Sequence, residues 1–230
     1  NRFSIRKLSR KWKALHCLVY AILLLALLPL AACAELRTPR RPISPPPGLL
    51  TGPDQGRQAI RELDESFRNG GAALRGHPER VARAAAMLEW LCTDLASNPR
   101  WSPVSPGVKQ VVYTARDEVR NALGIQPEVT GPEAAAVMAD VAREMADGQE
   151  ARAQALLEDE RRFRNGGERV IARLRDPGPL PNSEIALGAL AQEVARLDSV
   201  NGWVVQPAAD PSLTGTRGLE DDSFRPSPGF

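Results

Sequence analysis

Lysine is nearly missing from most of this 230-residue chain: beyond residue 13 only Lys109 remains, against 23 arginines. Histidine is scarcer still, with His16 and His77 alone, and cysteine is limited to Cys17, Cys33 and Cys92. His-centred metal sites and Ser-His or Cys-His nucleophilic catalysis therefore lack their parts. Aromatic residues make up 5% of the chain, too few for a platform on which nucleic-acid bases stack. Alternating apolar and polar runs, the mark of a half-buried strand, are almost absent. No glycine-rich loop follows a strand pattern, so no phosphate cradle is expected. These shortages point to a non-enzymatic helical protein with no cofactor and no nucleic-acid partner.

The informative presence is at the N-terminus. Arg2, Arg6, Lys7, Arg10, Lys11 and Lys13 precede an apolar run from Cys17 to Leu30, which ends in Ala31-Ala32-Cys33. A basic region, an apolar region and small residues are the three parts of a secretory signal peptide. Leu30-Ala31-Ala32-Cys33 resembles the lipobox of bacterial lipoproteins, and the resemblance is confined to residues 1–33. It implies cleavage before Cys33 and a diacylglyceryl thioether plus an N-acyl chain, such as palmitate, on that residue; two or more chains anchor stably. With Ala34 next, it also implies sorting to the outer membrane in a host with two membranes. An uncleaved transmembrane helix over Ala14–Ala34 and simple cleaved secretion are the alternatives. All three place residues 34–230 outside the cytoplasm, facing the periplasm or cell envelope. Asn1 is not an initiator methionine, so the chain can start inside a longer one.

Cleavage changes the charge. The whole chain is +2, but the leader removes six basic residues and no acidic one, leaving 24 basic against 28 acidic, or −4. Electrostatic attraction to nucleic acid or an anionic surface is then not expected. Cys92 would be the one free thiol, placed within the apolar pattern of a helix and expected to be buried and inert.

Residues 33–53 carry Pro39, Pro42, Pro45, Pro46, Pro47 and Pro53 and read as a lipidated Cys with an extended tether. Residues 206–230 read as a disordered tail. Between them, 54–205 is expected to fold as one all-α domain, a bundle of about six helices. The first spans about Gln58–Gly76, with Ile60, Leu63, Phe67 and Leu74 inward. The second starts at Pro78, presents Val81, Ala84, Leu88, Leu91 and Leu95, and ends near Asn98-Pro99. The third opens at Ser105-Pro106 with Val108, Val112, Ala115, Val119 and Leu123 inward; the fourth opens at Thr130 with Val137, Met138, Val141 and Met145 inward. A fifth is expected over Ala151–Arg175, either separate from the fourth or continuous with it through Gly148. A sixth, capped by Asn182 or Ser183, presents Ile185, Leu190, Val194 and Leu197.

An internal repeat underlies this pattern. Residues 58–71 match 154–167 at eight of fourteen positions, including Phe67-Arg68-Asn69-Gly70-Gly71 and Phe163-Arg164-Asn165-Gly166-Gly167. The offset of 96 later becomes 102, so that Leu95 meets Leu197 and Trp101 meets Trp203. Two copies of a helix-turn-helix-Trp unit follow, about 54–101 and 150–203, joined by helices over 105–147. Asn-Gly ordinarily ends a helix, yet Phe67 to Leu74 and Phe163 to Val170 keep helical phase across it. The expectation is a continuing helix in which the two copies cross at their glycines. Arg68, Asn69, Arg164 and Asn165 are the candidate groove residues, for a small anion or a partner's backbone. Trp101 and Trp203 are expected to cap the core or, if exposed, to mark a protein-binding surface.

The functional expectation is a membrane-anchored adaptor with a protein partner. A small-ligand-binding lipoprotein is the second possibility, and an envelope hydrolase the third.

Overall fold

The computed structural model describes residues 43–203. Cys33, the apolar leader and the tail from 204 onward lie outside the described residues. Seven α-helices follow in order: α1 (Gln55–Gly71), α2 (Pro78–Ser97), α3 (Pro106–Leu123), α4 (Gly131–Ala146), α5 (Glu150–Leu156), α6 (Gly166–Arg175) and α7 (Pro181–Ser199). Short 3-10 turns at Ala72–Leu74 and Pro99–Trp101 follow α1 and α2. Among the described residues extended pairing is confined to one antiparallel bridge, Ile125 with Phe163. The protein is all-α, and none of these helices is long and apolar enough to cross a membrane.

Helix α2 is the centre. Its residues from Ala84 to Cys92 are all buried, including Glu89 and Trp90. A helix apolar on every side must be walled on every side, and α2 is packed by α1, α3, α4 and α6. Small side chains bring α4 close: Ala82, Ala85 and Ala86 face a helix carrying buried Ala134, Ala135 and Ala139. Gly131 continues the close approach, since a Cβ there would overlap the Thr93 hydroxyl and lie 3.4 Å from the Glu89 carbonyl. Helix α7 closes the other side, packing against α1 and α3.

Long-range ion pairs and caps fix the helix register. Arg120 of α3 donates Nε and Nη2 to the two Glu89 carboxylate oxygens at 2.5 and 2.7 Å, both residues being buried. Burial pushes the Glu89 carboxyl up, opposed by hydrogen bonds from Arg120. Glu118 of α3 accepts from Asn182 N and Nδ2 and from Ser183 N and Oγ, at 2.7 to 3.1 Å. A carboxylate from another helix thus satisfies the free N–H groups of α7's first turn.

Four expectations change. The expected tether folds earlier than residue 54: Leu49 and Leu50 are core residues, 2% and 5% exposed. The expected fifth helix is two, because Leu157–Asn165 leaves helical geometry between α5 and α6, and it is separate from α4 because Gly148 turns at φ +70°. Asn182 and Ser183 are not the N-cap of α7, which falls at Leu180; they sit inside its first turn, held by Glu118. Ile185 points outward, 68% exposed, because the buried face of α7 runs through Ser183, Ala186, Leu187, Leu190, Val194 and Leu197.

The buried pair sets a direct test. Glu89→Gln leaves the Arg120 charge buried with a weaker partner and should cost about 3 kcal/mol in urea unfolding. Replacing both residues with apolar ones of similar volume should recover most of that loss. A single variant as stable as the parent would show that the pair is not what holds α3 on α2.

Candidate interaction site

The repeated Phe-Arg-Asn-Gly-Gly segments do not continue their helices. After Phe67 the backbone leaves the helix at Arg68 (ψ 148°), and Asn69, Gly70 and Gly71 take φ of 54°, 65° and 74°. Three successive left-handed residues cannot be helical, and Asn and Gly are the residues that tolerate this conformation. The phase from Phe67 to Leu74 survives because the turn and its 3-10 extension return the chain to the same side; both residues are buried. The N–H groups of Asn69 and Gly70 converge on the Glu184 carboxylate at 3.0 and 2.9 Å. Here the turn forms an anion-binding concavity, filled by the protein's own α7.

The second copy uses the same letters differently. Phe163 is buried in the bridge with Ile125, Arg164 N donates to the Gly124 carbonyl at 2.9 Å, and Arg164 Nε reaches Gln126 Oε1 at 3.2 Å. Asn165 precedes α6 and sets its side-chain amide beside Gly124. The two copies do not cross at their glycines: a Cβ on Gly70 would meet nothing within 4 Å, whereas Gly167 alone lies against another helix, a Cβ there overlapping the Gln154 carbonyl of α5 within its own copy. Arg68 pairs with Asp64 at 2.5 Å and is 64% exposed. The two Arg-Asn pairs are thus engaged at different places and share no groove. Arg164 lines a cleft of about 360 Å³ with Arg116, Asp117, Arg120 and Asn121, which neither Arg68 nor Asn69 joins. Within it Arg120 is bound to Glu89 and Arg116 to Asp117.

The two tryptophans do meet. Their ring centroids lie 5.8 Å apart at 68°, an edge-to-face contact. Trp101 is 1% exposed and donates Nε1 to Asp94 at 2.7 Å; Trp203 is partly buried and donates Nε1 to Asp198 at 2.6 Å. An arginine covers each ring: Arg100 stands 4.3 Å from the Trp101 centroid and Arg57 5.0 Å from that of Trp203. Asp54 joins the halves, accepting from Arg57 N and Nε and from Arg100 Nη1. Arg57 also binds Asp198 and Arg100 binds Asp94. Gly56 makes room, since a Cβ there would stand 2.6 Å from the Trp101 ring. Arg57 beside Asp198 holds that carboxyl below its ordinary range, helped by the Trp203 N–H.

Sequence reading named the tryptophans and missed Asp54, Arg57, Asp94, Arg100 and Asp198. Asp54 has the form of an N-cap, and Asp94 and Asp198 stand close in sequence to the tryptophans they bind, but the ion pairs Asp54–Arg100 and Arg57–Asp198, 46 and 141 residues apart, carry no local signal. His77 is exposed, with Nδ1 3.5 Å from Glu79. Cys92 is buried, and burial pushes its thiol well up from the usual range. Among the described residues no three His, Cys, Asp or Glu side chains gather to hold a metal ion. No protein-family model matches the chain, and comparison with curated proteins and with solved structures finds no similar protein.

Two outcomes test this geometry. Gly70→Ala should destabilise by about 1 kcal/mol through left-handed strain alone, and Gly70→Asn by clearly less; equal losses in thermal unfolding would return the cause to packing. Because the Asp198 pKa is lower in the folded state, its contribution to stability is present above the ordinary aspartate pKa and is lost as pH falls through the depressed value. Acid titration of Trp fluorescence should therefore show a transition below the usual carboxylate range that Asp198→Asn removes.

Proposed function

We propose that the protein is a lipid-anchored adaptor of the bacterial cell envelope, its helical domain facing the periplasm and docking a protein partner. The observation that carries this reading is the position of Cys33, in a lipobox-like setting, only ten residues ahead of Ile43. Ile43 is already tied to the fold, its carbonyl accepting from Trp90 Nε1 at 2.7 Å. Ten residues span at most about 35 Å when fully extended. An acylated Cys33 would hold Ile43 within that distance of the bilayer. Support for the adaptor role comes from the Trp101–Trp203 cluster, in which the Trp203 ring is only partly buried.

Cys33→Ser should move the protein from the membrane fraction to the soluble fraction and abolish incorporation of labelled palmitate. Wild-type protein that stays on membranes without label would overturn the lipoprotein reading. Photo-crosslinking residues at positions 136, 185 and 203 should give a discrete protein adduct in intact cells from at least one of them; no adduct at any of the three would remove the adaptor role.

A further inference from the structure

Before entering α1 the chain crosses the groove between α2 and α4. Its two halves are held differently. Leu49 and Leu50 are buried in the core, whereas Ile43, Ser44, Pro47 and Gly48 are exposed and Pro45 and Pro46 half-buried. Gly48, at φ +76°, is the joint between them. Three consecutive prolines favour the polyproline II conformation and have no N–H to donate, so Pro45, Pro46 and Pro47 offer carbonyls alone. The carbonyl of Ile43, just ahead of them, accepts the indole N–H of Trp90 at 2.7 Å. Trp90, Thr93, Pro132, Ala135 and Ala136 form a shallow floor, and a cavity of about 200 Å³ remains between it and the strap.

An aromatic wall with an N–H aimed at the carbonyl of an extended, proline-rich chain is the chemistry by which such chains are recognised. We infer that the α2–α4 groove around Trp90 is a binding site for polyproline II segments. Ile43–Pro47 is its occupant in cis, and a proline-rich segment of a protein partner is its occupant in trans. The outer strap is suited to exchange. Among the described hydrogen bonds, the Trp90 contact alone ties residues 43–48 to a helix, and the other bond of the segment, from Leu49 N to the Pro46 carbonyl at 3.1 Å, is internal. The buried Leu49–Leu50 pair would keep the fold closed while the outer part lifts. This names a partner for the adaptor reading and rests on it only for the partner's setting, because binding in the groove needs no lipid.

The test uses the full chain in detergent and a fluorescent octapeptide reproducing residues 41–48, read by anisotropy. Wild type should bind weakly, since its own strap occupies the groove. Pro45→Gly, Pro46→Gly and Pro47→Gly together should weaken the strap and tighten peptide binding by about tenfold. Adding Trp90→Phe, which keeps the aromatic face and removes the N–H, should lower that affinity by about fivefold. A triple variant that melts like the parent and binds no tighter would overturn the inference, as would binding indifferent to Trp90→Phe. If the variants fail to fold, wild type decides: millimolar peptide should speed hydrogen exchange at the Leu49 amide, and unchanged exchange would overturn the inference. The lipid-labelling result is independent of all these outcomes.

Discussion

Burial of α2 on nearly every side is the constraint from which the rest of the architecture follows. A helix with Ala84 through Cys92 out of solvent needs a neighbour in each direction, and the chain provides α1, α3, α4 and α6. Alanines on α2 and α4, with Gly131 at the start of α4, let those two helices approach closely. The same closeness leaves the shallow groove over which the proline strap runs. Burying α2 also takes Glu89 out of water, and Arg120 must follow it, so α3 is registered by charge as well as by packing.

Carboxylates do much of the long-range fastening. Glu118 closes the first turn of α7, Glu184 fills the turn after α1, and Asp54, Asp94 and Asp198 tie the two tryptophans and their arginines into one cluster. Each accepts from N–H groups left free by a helix end, a left-handed turn or an indole, so each also satisfies donors that would otherwise cost stability. The Trp101–Trp203 cluster brings the start of α1 together with the ends of α2 and α7, three points remote in sequence.

The repeated pentapeptide shows how one local code takes two structures. In both copies the phenylalanine is buried, but the Asn-Gly pair breaks the helix in the first and stands at the start of one, α6, in the second. In the first copy the freed N–H groups meet Glu184 from α7; in the second the chain pairs with the loop after α3, through Arg164 N on the Gly124 carbonyl. Neighbours, not the pentapeptide, make that choice. Helical phase across the glycines misled because a left-handed turn followed by a 3-10 turn restores the side-chain direction that a continuous helix would have.

Local sequence determined that the fold is all-α, where α2, α3 and α4 begin, where α2 ends, and most of the stripes that face inward, because Pro, Gly and apolar spacing act within a turn or two. Phe67, Leu88, Val112 and Met138 were legible as core for that reason. Tertiary structure alone decided the outward turn of Ile185, the docking of Leu49 and Leu50, and the splitting of the expected fifth helix. It also decided the bond of Trp90 to Ile43, 47 residues away, and the meeting of Trp101 with Trp203. Those outcomes depend on groups that lie far apart along the chain and meet only when the helices pack, where no window of neighbouring residues records them.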